Sequence, residues 1–78
     1  MTARAVYRVH VQSEGARPAF VAPRARIDHV EVVNLDTGEV ELFWDLPARE
    51  ARRLAGRLHE DLDLLGAEQF ITAWREAD

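Results

Sequence analysis

Between residues 5 and 12 the chain reads AVYRVHVQ, and its apolar positions alternate. Tyr7, Val9 and Val11 point one way and Arg8, His10 and Gln12 the other, which is the period of a half-buried strand. The segment SEGARPAFVAPRARI that follows has no sustained period, and its Gly15, Pro18 and Pro23 mark a long connection carrying Phe20 and Val21. Alternation then returns in VEVVN and VELFWD on either side of Asp36-Thr37-Gly38, a hairpin with a three-residue turn closed by a left-handed glycine. That turn sets Leu35 opposite Glu39, Val32 opposite Leu42 and Val30 opposite Trp44.

Paired residues share a face, so Val30, Val32, Val40, Leu42 and Trp44 line one side of the hairpin. The other side carries His29, Glu31, Val33, Leu35, Glu39, Glu41, Phe43 and Asp45. A one-residue slip would turn the glutamates inward, which disfavours the alternative register.

From Asp45 the period lengthens. Ala51, Leu54, Ala55, Leu58, Leu62 and Leu65 recur at three- and four-residue spacing, an amphipathic helix with Asp45 as expected N-cap and Pro47 in its first turn. Ala67, Phe70, Ile71 and Trp74 form a second stripe, out of phase with the first by more than a quarter turn on one straight helix. Two helices follow, with Gly66 expected to end the first through a positive φ. The expected fold is α+β: a three-stranded antiparallel sheet (strand, long loop, β-hairpin) with one face covered by a long helix and a short C-terminal helix. Residues 1–78 read as one small domain.

Composition sharpens this in two places. A domain of 78 residues without cysteine has neither disulfides nor thiolate metal sites to reinforce a small core, which leaves self-association. The net charge of −4 opposes phosphate backbones and anionic membranes on average. All ten cationic residues are arginine, the bias a genome rich in G and C produces. No apolar run approaches the roughly 20 residues of a membrane span, and the N-terminus lacks the apolar stretch and cleavage site of an export signal, so the cytoplasm is the expected address.

Candidate chemistry is sparse. Ser13 is the lone serine, the glycines are isolated, and HEDLD carries one histidine where a zinc-protease helix has two. His10 and His29 stand near carboxylates on the outer face, a pattern that surface histidines also produce. No catalytic residue, metal ligand or cofactor is assigned.

Two features point to partners instead. Val33, Leu35 and Phe43 sit among Glu31 and Glu41 on the face that should meet water. Either the loop with Phe20 and Val21 folds over them or another chain does, a second copy (a homodimer) or a heterologous protein. Arg49, Arg52, Arg53 and Arg57 crowd the start of the long helix while Glu60, Asp61 and Asp63 crowd its end, against the helix dipole. Arg49/Arg53 and Arg53/Arg57 are like-charged neighbours four residues apart, relieved in part by Glu50 and an expected Arg57/Asp61 pair. An acidic partner would answer these charges.

The leading expectation is a non-enzymatic interaction or accessory module that self-associates. The alternative is a small nucleic-acid-associated regulator using the arginine-rich helix start. A strand followed by two helices resembles ribbon-helix-helix regulators in outline, but their DNA-reading ribbon is basic or amide-bearing and this hairpin offers glutamates.

Overall fold

The computed structural model describes residues 2–13 and 27–76. Within them lie a 3₁₀ turn at Ala3–Ala5, strand β1 (Tyr7–Ser13), β2 (Ile27–Asn34), β3 (Val40–Pro47), helix α1 (Ala48–Leu64) and helix α2 (Ala67–Glu76). The three strands form one antiparallel sheet in the order β1-β2-β3, and both helices pack on its inner face: the expected α+β architecture. Phe20 and Val21, the residues expected to cover the outer face from within the chain, lie outside the described residues.

β-Branched Val30, Val32 and Val33 suit the central strand, and the register through its middle is the expected one, with Val32 opposite Leu42 and Val30 opposite Trp44. Near the turn the register departs from expectation. Gly38 (φ 77°) donates to the Asn34 carbonyl at 2.7 Å, and Asn34 N–H donates to the Glu39 carbonyl at 2.8 Å. The loop is therefore Leu35 to Gly38, one residue longer than expected, and Asn34 rather than Leu35 faces Glu39. Asn34 builds it: its Oδ1 accepts from the N–H groups of Asp36 (2.8 Å) and Thr37 (3.3 Å). A bulge at Val32/Val33 absorbs the difference, setting Val33 opposite Val40 and leaving Glu41 as the extra residue of β3.

Val40 is thereby moved from the helix side, where the sequence placed it, to the outer side with Val33, and it is 48% exposed. Glu41 is turned the other way and accepts from Arg75 of α2 at 3.1 Å.

Both helix starts differ from expectation. β3 continues to Pro47, so Asp45 is a strand residue opposite His29; the N-cap of α1 is Pro47 (φ −54°, ψ 147°), without a side-chain cap. Proline fits there because the N–H it lacks would have no partner inside the helix. Gly66 does not end α1 with a positive φ. Leu65 does, in extended conformation (φ −103°, ψ 155°), and Gly66 opens α2 instead. Its carbonyl accepts from Phe70 N–H at 2.9 Å, while Gln69 Oε1 reaches back to Gly66 N–H at 3.1 Å. That is the returning half of a capping box. Gly66 also bridges Thr2, and Ala3 N–H donates to the Leu65 carbonyl at 2.8 Å. These bonds pin the N-terminal turn beneath the helix junction and bury Ala3 completely.

Val30, Val32, Leu58 and Phe70 are fully enclosed, with Tyr7, Ala51, Leu62 and Trp74 around them. Leu42, Trp44 and Leu54 pack against this centre while staying partly exposed. Four rings line the junction of sheet and helices: Tyr7 lies 5.6 Å from Phe70, Phe70 6.5 Å from Trp74, and Trp74 meets Trp44 edge-on at 6.0 Å. Arg57 and Asp61 do not pair with each other as the sequence suggested. Both converge on Trp74: the Arg57 guanidinium sits 5.4 Å from the ring centroid, and the indole N–H donates to Asp61 Oδ2 at 3.0 Å. One aromatic ring satisfies two charges that would otherwise have met.

Leu58→Ala should cost about 2–5 kcal/mol, because the closed site leaves a cavity. Leu64→Ala, at a helix position 77% exposed, should stay within about 0.5 kcal/mol of the parent. Urea unfolding of both variants checks the assignment of the buried helix face; equal destabilisation would contradict it.

Candidate functional site

The outer face of the sheet is a grid fixed by strand register. Arg8, Val33 and Val40 form one row; His10, Glu31 and Phe43 the next; Gln12, His29 and Asp45 the third. His29 stacks on Phe43 with centroids 5.7 Å apart, and its Nδ1 hydrogen-bonds the Asp45 carboxylate. His10 Nδ1 lies 3.5 Å from Glu31 Oε1. Each imidazole thus faces a carboxylate, leaving Phe43, 52% exposed, between the two pairs.

Of the five residues expected on this face, Glu31, Val33 and Phe43 are there. Glu41 has been turned to the helices by the bulge. Leu35 sits in the hairpin turn, where its N–H donates to the Val6 carbonyl at 2.8 Å and its side chain lines a hollow with Tyr7, Val9 and Leu62. Val40 takes the place they vacate. The apolar patch is therefore Val33, Val40 and Phe43, bounded by His–carboxylate pairs on one side and Arg8 on the other.

This arrangement can recognise but offers little for reaction chemistry. A histidine oriented by a carboxylate is the base half of a nucleophilic pair, yet Ser13 falls on the opposite face from His10 and His29, at the end of β1. Among the described residues no three histidine or carboxylate side chains converge as metal ligands would.

The second surface belongs to α1. Arg49, Arg52, Arg53 and Arg57 are all exposed. Arg4 and Arg75 have partners, Asp63 at 2.6 Å and Glu41 at 3.1 Å. Arg49, Arg52 and Arg53 form no ion pair or hydrogen bond among the described residues. The first turn of α1 contains one acid, Glu50, and its last turn no base, so the charges oppose the dipole as the sequence indicated.

Alongside these arginines runs a groove of about 350 Å³ between β3 and α1, lined by Trp44, Leu46, Glu50, Arg53, Leu54 and Arg57. Sequence reasoning did not find it. Leu46 fell in what read as the helix approach, and only the continuation of β3 to Pro47 brings it beside Trp44. Asp28, buried on the inner face of β2, was also not singled out.

No protein-family model matches the chain, and none of the curated proteins or solved structures is significantly similar to it. No described helix is long and apolar enough to cross a membrane. Function must be argued from these two surfaces.

Arg49→Glu should stabilise the fold by about 0.3–1 kcal/mol, by placing an acid at the helix start and replacing the repulsive pair with Arg53 by an attractive one. Urea unfolding reads it directly. A loss of stability would mean that Arg49 has a structural partner.

Proposed function

We propose that this chain is a non-enzymatic protein-interaction module whose first partner is a second copy of itself, docked through the outer face of the sheet. The observation that carries the reading is the cluster of half-buried Val33 with exposed Val40 and Phe43, bounded by groups of both charges. An apolar centre with a polar rim is the usual anatomy of an interface. The face is also self-complementary. Arg8 and Asp45 stand at opposite corners of the grid, with Glu31 between them and Val33, Val40 and Phe43 to one side of that diagonal. A two-fold axis crossing that diagonal sets the Arg8 of each copy against the Asp45 of the other and the Val33 of each against the Phe43 of the other. The apolar patches then meet at the Val40 corner, while the two Glu31 carboxylates approach at the middle of the grid beside the His10 rings. Small size without disulfides favours such a partner as well.

Light scattering at micromolar concentration should give the mass of a dimer, and Phe43→Glu should give a monomer with unchanged circular dichroism. A monomeric parent protein would remove the reading.

A second reading rests on Arg49, Arg52 and Arg53, which have no ion-pair partner among the described residues: a small nucleic-acid-associated regulator. Under it, labelled duplex or single-stranded DNA binds at about 50 mM salt, affinity falls steeply as salt rises, and Arg49→Glu with Arg53→Glu abolishes binding. The expected outcome is no binding of either strand form, because the net charge of −4 opposes it.

A further inference from the structure

We infer that the groove between β3 and α1 is a docking site for an extended acidic peptide that adds to the sheet as a fourth strand alongside β3. This surface is distinct from the outer face, and the inference stands whether or not the chain dimerises.

Three independent observations meet there. β3 is an edge strand, hydrogen-bonded on one side to β2, and no main-chain partner occupies its other side among the described residues. An unpaired edge presents alternate N–H and C=O groups to any extended chain that reaches it. The accessible length is bounded by the bulge at Glu41 and by Pro47, which has no N–H to give, so the usable edge is Leu42 to Leu46.

The groove beside that edge supplies side-chain specificity. Its floor is Trp44, Leu46 and Leu54, and its wall carries Arg53 and Arg57. A strand laid on the edge turns alternate side chains to the inner side of the sheet. Apolar ones would fill the floor, and carboxylates two residues along, on the same side of the strand, would reach Arg53, Arg57 and the neighbouring Arg49. Arg53 and Arg49 have no acidic partner among the described residues, whereas Arg57 lies over the Trp74 ring. Glu50, the one acid on the wall, weakly repels an acidic peptide and so favours carboxylates placed toward the later turns of α1.

Two other occupants fit less well. Two copies joined through β3 would bring both sets of helix-start arginines to the same seam, and like charges facing each other across an interface are costly. A nucleic acid strand would satisfy the arginines and stack on Trp44, but it has no donors and acceptors at the repeat of a β-ladder.

The test uses fluorescence anisotropy with an end-blocked peptide of about eight residues in the repeat Leu-Thr-Glu-Thr, which turns leucine and glutamate to the same face of an extended strand. Binding should weaken as salt rises. Arg53→Glu should lower affinity by at least about tenfold, while Arg8→Glu, the same change of net charge on the outer face, should leave it unchanged. N-methylation of alternate peptide residues, which blocks the ladder without removing a side chain, should weaken binding by a similar factor. The inference is overturned if this peptide does not bind at millimolar concentration. Equal losses in the two arginine variants, indifference to N-methylation, or tighter binding of a single-stranded oligonucleotide of the same charge would overturn it too. Light scattering on the same Arg8→Glu sample reports the fate of the outer-face dimer separately, so the two readings fail independently.

Discussion

The indole of Trp74 is the contact on which the relation between sheet and helices depends. Its edge meets Trp44 of β3, its neighbour on α2 is Phe70, its N–H is held by Asp61 of α1, and Arg57 of α1 lies over its face. A large ring with one donor can satisfy both a core and a polar boundary, since its body is apolar and its N–H needs a partner. Here that partner is a carboxylate on another helix, which fixes α2 in rotation and in translation along α1. The short α2 has little intrinsic stability of its own, because helices of about ten residues are marginal without tertiary contacts. Its place is set by Trp74 and Phe70 on the sheet side, by the Arg75–Glu41 bond at its end, and by the Gly66–Gln69 cap at its start.

The bulge in β3 divides the two surfaces. Without it Val40 would join Leu42 and Trp44 beneath the helices, and Glu41 would stand on the outer face beside Glu31. With it, a valine is exposed on the outer face and a glutamate reaches Arg75. One extra residue therefore makes the outer patch less acidic and more apolar, and at the same time provides the ion pair that holds the end of α2. It also twists the edge of β3 near the hairpin, one of the ways a sheet limits uncontrolled pairing along an exposed strand.

Elements set by periodicity could be read from the sequence. The alternation in Tyr7, Val9 and Val11, the paired runs around Asp36-Thr37-Gly38 and the leucine stripe from Leu54 to Leu62 each repeat often enough to fix type and face. What could not be read depended on single residues whose role is decided elsewhere. Asn34 lengthens the turn by capping it with its own side chain, a choice that Asp36 in the same loop could have made as plausibly. Gly66 opens a helix rather than closing one, because Gln69 returns to it and Thr2, remote in sequence, bridges it. Asp45 has the chemistry of an N-cap but is held in the strand by His29. The outer face was legible in outline through Glu31, Val33 and Phe43. The groove was not, since it exists only where Leu46 of the strand and Leu54 of the helix come together.

The arginines at the start of α1 connect stability to recognition. Their order against the dipole and their four-residue spacing both work against the helix by tenths of a kcal/mol each. Arg57 recovers some of this through the Trp74 ring; Arg49, Arg52 and Arg53 recover nothing from the described residues. The opposite charges exist in the same chain, at Glu60, Asp61 and Asp63, but at the other end of α1, where Asp61 is engaged by Trp74 and Asp63 by Arg4. Replacing Arg49, Arg52 and Arg53 by acids would improve the helix start and leave the core and the Asp61–Trp74 bond untouched, so the observed residues there are not what packing requires. They do suit a surface that concentrates positive charge next to an apolar groove and a strand edge that is unpaired among the described residues. Local instability of this kind, confined to the residues that border the proposed docking groove, is where a fold departs from its own best sequence.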